Sequence, residues 1–257
     1  MKKKSQITLF ILLGGVILII IFFLFVMREY EAKTELGDFE DIKDINFFVG
    51  ECLNAVSVRG LEFMGLHGGF VEFPGHLNTI TTSNTELPLH YDEGANNLPR
   101  VEDMESELSE YIEHEILLCI DGFNVFKERG YEFTEQEVNA DVRIEGRSVY
   151  TEIDYPVEVK KGEEITTISA FNKNIPLKLE RMHEFAEVVV NKALEYDEGD
   201  ELIPDLDINS YIDDFELNYD YYPVGFQTIF WQVEGFVGEK PYYFIFSTRF
   251  RRELPHW

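Results

Sequence analysis

Residues 138–159 read VNADVRIEGRSVYTEIDYPVEV, and their apolar side chains fall at every second position. Val138, Ala140, Val142 and Ile144 alternate with Asn139, Asp141, Arg143 and Glu145, and Gly146 supplies a turn. Val149, Thr151, Ile153, Tyr155, Val157 and Val159 then continue on one face, and Lys161-Gly162 turns the chain again. In a strand successive side chains point to opposite faces, so this pattern predicts an antiparallel meander with one face buried and a third strand within 165–179.

Downstream the period lengthens. Met182, Phe185, Ala186, Val189, Val190 and Ala193 mark a wide apolar stripe on a helix over 180–196, suited to lie across that sheet. After an acidic connection, the aromatic-rich runs 226–233 and 242–250 have the length of a hairpin. Upstream, Met104, Leu108, Ile112, Ile116, Cys119, Phe123 and Phe126 predict a helix over 101–128, ended by Gly130. Ile42, Ile45, Val49, Cys52 and Val56 predict another over 38–66. Between these helices, residues 67–99 read as a loop, with Pro74, Pro88 and Pro99 and a polar run from Thr79 to Thr85. Loops of this length are uncommon inside compact domains and often carry function.

The chain opens MKKKSQITLFILLGGVILIIIFFLFVM, with an uncharged apolar run over 7–27. About 21 helical residues span roughly 31 Å, the thickness of a bilayer's hydrocarbon core. A buried core helix would interrupt such a run with polar residues, and a removable secretory signal has a shorter apolar region ending at a small-x-small site. The reading is therefore a retained transmembrane helix. Lys2, Lys3 and Lys4 place the N-terminus in the cytoplasm by the positive-inside bias. The expected organisation is a cytoplasmic stub (1–6), a membrane span (7–27), a helical part of the ectodomain (28–130) and an α+β part (131–257).

Lys2-Lys3-Lys4-Ser5-Gln6-Ile7-Thr8-Leu9-Phe10 resembles the N-terminus of archaeal type IV pilin-like surface proteins, in which a basic stub and a small residue precede Gln and a long apolar helix. The resemblance implies a cut between Ser5 and Gln6 and a helix kept for packing in a filament core. Phe10 stands where the family pattern carries Glu.

Lys and Arg number 22 against 49 Asp and Glu. The first 27 residues hold three lysines and no acid, so residues 28–257 carry 19 minus 49, or −30. Such a surface repels nucleic acid and anionic lipid. It suits solubility in salty or crowded surroundings, or binding of a divalent cation or basic partner.

Cys52 and Cys119 are the only two cysteines, each on the apolar stripe of one long helix. Outside the cytoplasm they are expected to form a disulfide stapling the two helices at the base of the long loop. The alternative is two buried free thiols.

Asp205, Asp207, Asn209, Asp213 and Glu216 stand at positions 1, 3, 5, 9 and 12 of an EF-hand-like loop, a spacing that gathers oxygens around Ca²⁺. Ser210 replaces the turn glycine and Pro204 precedes the loop, features that fit an acidic connector instead. His114-Glu115 and His183-Glu184 do not continue to a second zinc-binding His, and no nucleophile elbow, P-loop or dinucleotide fingerprint occurs. His67, Gly68, Gly69 and Phe70, where clustered glycines permit left-handed turns, mark either a helix terminus or the start of a recognition loop.

Together these readings predict an α+β ectodomain: two long disulfide-linked helices and an antiparallel sheet with a packed helix, hung from one N-terminal span. The expected role is macromolecular interaction or assembly at the cell surface, pilin-like or adhesin-like, without catalysis. The alternative is a membrane-tethered extracellular hydrolase with an unfamiliar site.

Overall fold

Period-two alternation builds the sheet that residues 138–159 predict. The computed structural model describes residues 42–81, 86–198, 218–224 and 227–251. The chain divides into two units, Met1–Phe48 and Val49–Trp257. In the first, residues 42–48 are described and helical.

The described elements are α1 (42–66), β1 (Thr79–Thr81), β2 (Glu86–Pro88), β3 (Tyr91–Asp92), β4 (Ala95–Asn96), α2 (Val101–Ile120), a 3₁₀ turn (Asp121–Phe123) and α3 (Asn124–Lys127). There follow β5 (Glu132–Glu135), β6 (Asn139–Glu145), β7 (Ser148–Lys161), β8 (Glu164–Pro176), α4 (Leu179–Glu198), β9 (Asn218–Val224), β10 (Thr228–Val237) and β11 (Lys240–Arg249).

β6, β7 and β8 form the expected meander, with β7 in the middle. Val149, Thr151, Ile153, Tyr155, Val157 and Val159 are all buried, the face that alternation assigned. The β7–β8 register shifts between Asp154 and Val157, around Pro156. Proline has no N–H to give a ladder, so a bulge is where a long strand can hold one. β5, which the sequence reading missed, pairs with the far half of β7 from Glu132↔Lys160 to Glu135↔Val157. Its four residues are mostly exposed and show no alternation long enough to read.

The free edge of β6 is closed by α2. Backbone N–H groups of Ile144 and Ala140 donate to the carboxylates of Glu105 and Glu113, at 2.7 and 2.8 Å. Two acids eight apart share a helix face, so α2 lies along the strand and satisfies an edge that would otherwise bond to water or another chain.

α1 and α2 run antiparallel. They pack tightly at Gly60, where an added Cβ would stand 2.5 Å from Leu108 Cδ1 and 2.8 Å from Tyr111 Cδ1. Met104, Leu108, Ile112, Ile116 and Ile120 form the buried stripe of α2. Cys119 is exposed, one position off that stripe, which corrects the expectation that both cysteines lie on buried faces.

The helix expected over 101–128 stops at Ile120. Asp121, Gly122 and Phe123 take left-handed backbone angles, with φ of 48°, 55° and 58°. Such angles cost an L-residue with a bulky side chain about 1–3 kcal/mol. The offset is burial: Phe123 is fully enclosed, its ring stacked on Phe133 at 4.3 Å and 5°. Apolar residues continue at helical spacing past Cys119, but their packing partner on β5 lies off the helix axis.

The second sheet has five strands in the order β4-β3-β11-β10-β9, antiparallel except where β3 runs parallel to β11. The predicted hairpin is β10–β11, paired from Thr228↔Arg249 to Val237↔Lys240. The stretch 67–99, expected as a loop, contains β1 to β4, two to three residues each. Strands that short carry no readable period.

All six stripe residues of α4 are buried. The helix meets the meander, as its stripe predicts, and the five-stranded sheet besides. Phe185 packs edge-on against Phe246 of β11 at 6.2 Å, and Glu180 accepts a hydrogen bond from the Gly146 N–H in the β6–β7 turn. The architecture is thus α+β with, among the described residues, one mixed sheet, two antiparallel sheets (the meander with β5, and the β1–β2 pair) and a disulfide.

The apolar run 7–27 lies outside the described residues. Among the described residues, no helix is long and apolar enough to cross a membrane.

Candidate functional site

Cys52 of α1 and Cys119 in the last turn of α2 are bonded, with Cα atoms 5.7 Å apart across a sequence separation of 67. Antiparallel helices bring these two positions together, so the staple lies toward the open end of the helix pair, which corrects the expectation that it sits at the base of the 67–99 stretch.

Beyond α1 the chain turns sharply through Gly68 and Gly69, with φ of +63° and +113°. A Cβ on Gly68 would fall 2.3 Å from His90 Nε2 and 2.5 Å from the Ile245 carbonyl oxygen. Only glycine fits that space and that angle. Phe70 packs against the His90 ring at 5.9 Å. His67 gives its carbonyl to His90 Nε2 at 3.0 Å and sets its ring edge-on to Phe73. Of the four residues singled out as a recognition loop, His67, Gly68 and Phe70 thus converge on one buried histidine, while Gly69 stands against Pro99.

His90 is fully buried. Its Nδ1 faces the Ser247 backbone N–H at 3.2 Å and must accept, so Nε2 carries the proton and donates to His67. Burial pulls the pKa of His90 from 6.5 down to about 4, against the opposing pull of hydrogen bonds to the His67, Gly68 and Pro88 backbone, and nearby His183 lowers it further. A neutral ring held between two backbone groups ties the turn after α1 to β11.

Above this hub lies a groove of about 470 Å³ lined by Phe70, His76, Leu77, Asn97, Leu98, Pro99, Asp103, Ser106 and Glu107. It runs between the 67–99 stretch and the first turns of α2. Pro99 is held from below, its carbonyl accepting from His183 Nε2 of α4 at 2.6 Å. Asp103 is gripped by both forks of Arg100 at 2.9 Å, which keeps its carboxyl below the usual range. Glu107 is half-buried and accepts from the Val71 N–H at 2.8 Å. Burial pushes the Glu107 carboxyl upward, the Val71 bond draws it down, and neighbouring Glu72 adds to the rise. The groove therefore offers an apolar floor bordered by oxygen acceptors, an arrangement suited to binding.

Of the sequence candidates, Phe70 lies in this groove and the others of its quartet lie beneath or beside it. Asp103, Ser106 and Glu107 had no distinguishing signal, since acids near a helix start read as dipole partners. Asp205, Asp207, Asn209, Asp213 and Glu216 lie outside the described residues. Among the described residues no three His, Cys, Asp or Glu side chains gather to hold a metal ion.

No protein-family model, no curated protein and no solved structure matches this chain.

Proposed function

We propose that this chain is a membrane-anchored surface protein whose extracytoplasmic body recognises or assembles with other macromolecules and acts by binding rather than by catalysis. The observation that carries the reading is the Cys52–Cys119 disulfide, a bond that persists in oxidising compartments and is rare in the cytosol. The basic stub and the apolar run 7–27 support it, because they direct everything after Arg28 to that side. The groove over Phe70 and Pro99 is the recognition face of this reading, and its acceptors and the chain's acidic balance favour a basic partner. The pilin-like version adds cleavage before Gln6 and packing of the apolar helix into a filament.

The test is protease shaving of intact cells together with N-terminal sequencing of protein from its native membrane. Loss of the body with a protected N-terminal fragment is expected, and a mature start at Gln6 with filaments in electron micrographs selects the pilin-like version. A body untouched while the cells stay sealed would overturn the reading.

A further inference from the structure

The groove over Phe70 and Pro99 is rich in hydrogen-bond acceptors and poor in donors. Arg100, beside Pro99 in the chain, spends two nitrogens on Asp103, so that pair is closed and its charge cancelled. Asn97 gives an amide hydrogen to the Leu89 carbonyl at 3.0 Å, and among the described residues nothing donates to its Oδ1. Glu107 accepts only. Its bonds to the backbone at Val71 and Glu72 leave part of a carboxylate's about four lone-pair sites unused. Its charged neighbours, Glu72 and Glu110, are of its own sign, and among the described residues no cation pairs with it. Burial raises its pKa most, and the two like charges add to the rise. A cation lodged in the groove would relieve both.

The rest of the lining selects the kind of cation. Phe70, Leu77, Leu98 and Pro99 are apolar and suit an alkyl stem or a flat face, whereas a bare metal ion needs a shell of oxygens. A volume of about 470 Å³ lies toward the small end of ligand sites, which run from about 300 to 1,000 Å³, so the groove takes a side chain or two and not a folded surface. A guanidinium is flat, weakly hydrated and a fork of donors, while an ammonium is compact and holds its water. Acceptors around an apolar floor therefore match arginine better than lysine.

We propose that the groove is an arginine socket, into which an extended segment of a partner protein inserts one arginine, its guanidinium paired with Glu107 and its stem across Phe70 and Leu98. This rests on the reading above that the groove is the recognition face, and names what that face recognises.

The experiment uses the full chain in mild detergent with labelled leucine methyl groups, titrated at neutral pH with the capped peptide Ala-Arg-Ala and with its lysine and citrulline counterparts. Citrulline keeps arginine's shape without its charge. Saturable shifts at Leu77 and Leu98 are expected with arginine, with citrulline about tenfold weaker and lysine between them. Glu107→Gln keeps an acceptor for the Val71 N–H, and should abolish the preference for arginine over citrulline. A general loosening of the groove would weaken both peptides alike and leave that ratio unchanged, a result that overturns the pairing with Glu107. Ser106 is exposed on α2 at the groove, so a charge there leaves the core alone. Ser106→Lys should weaken arginine binding about threefold or more, and Ser106→Glu should strengthen it. Equal binding of all three peptides at Leu77 and Leu98 overturns the arginine socket while leaving the groove as a binding face. No saturable shift with any of them, or shifts confined to other leucines, overturns the socket and the groove's role together, and leaves the location of the chain to the shaving experiment.

Discussion

Acidification should weaken this fold through His90. In the folded chain the ring is buried, Nε2 donates to the His67 carbonyl and Nδ1 accepts from the Ser247 N–H. A second proton would place a charge inside the core and remove the only ring acceptor. The pKa accordingly falls from 6.5 to about 4. Between those two values the unfolded chain takes up the proton and the folded chain does not, so stability falls with pH across that window. It is complete above 6.5, and the loss is finished below about 4. At about 1.4 kcal/mol per pH unit, the window is worth about 3 kcal/mol. Urea denaturation of the wild type and of His90→Gln, at pH values from above 6.5 down to 4, isolates this contribution, because the carboxylates titrate alike in both. Gln keeps a donor for His67 but cannot take the proton. The wild type should be the more stable at neutral pH, with its advantage shrinking by about 3 kcal/mol on acidification. An advantage constant with pH would refute the neutral, doubly tied histidine.

Replacing both Cys52 and Cys119 by Ser should lower stability by about 4 kcal/mol, since a chain closed over 67 residues loses that much unfolded-state freedom in the loop-entropy model. Chemical denaturation measures the loss, and alkylation without reductant should leave the wild-type mass unchanged. Gly68→Ala should cost more than about 2 kcal/mol in thermal unfolding, because left-handed strain adds to a clash with His90 and Ile245. Gly146→Ala, at φ +57° but facing open space, should cost only about 1 kcal/mol. Glu113→Ala should cost about 1–3 kcal/mol and speed exchange at the Ala140 amide, while Glu113→Gln keeps an acceptor and most of the stability.

Readable order in the sequence went as far as periodicity went. Fourteen residues of β7 with six alternating buried positions are enough to reveal the strand, its face and its neighbours. Four residues of β5, or two of β3, are not, because no period can repeat within them. The groove was legible only as a long stretch between two helices. Its lining comes from two segments that a chain of letters keeps apart, and Glu107 is set apart from other acids only by the Val71 N–H it accepts.

By itself the sequence determined that this is an α+β chain, which face of the meander and of α4 is buried, and that two cysteines on two helices are placed to bond. Local periods and the small number of sulfur partners suffice for that. Tertiary structure alone decided that α2 ends at Ile120, because stacking of Phe123 on Phe133 outweighs the helical preference of the residues that follow. It alone turned Glu105 and Glu113 from surface acids into caps for β6, while among the described residues no side chain takes that place along β8. A side chain's partner is set by what lies across space, and that distance is not written along the chain.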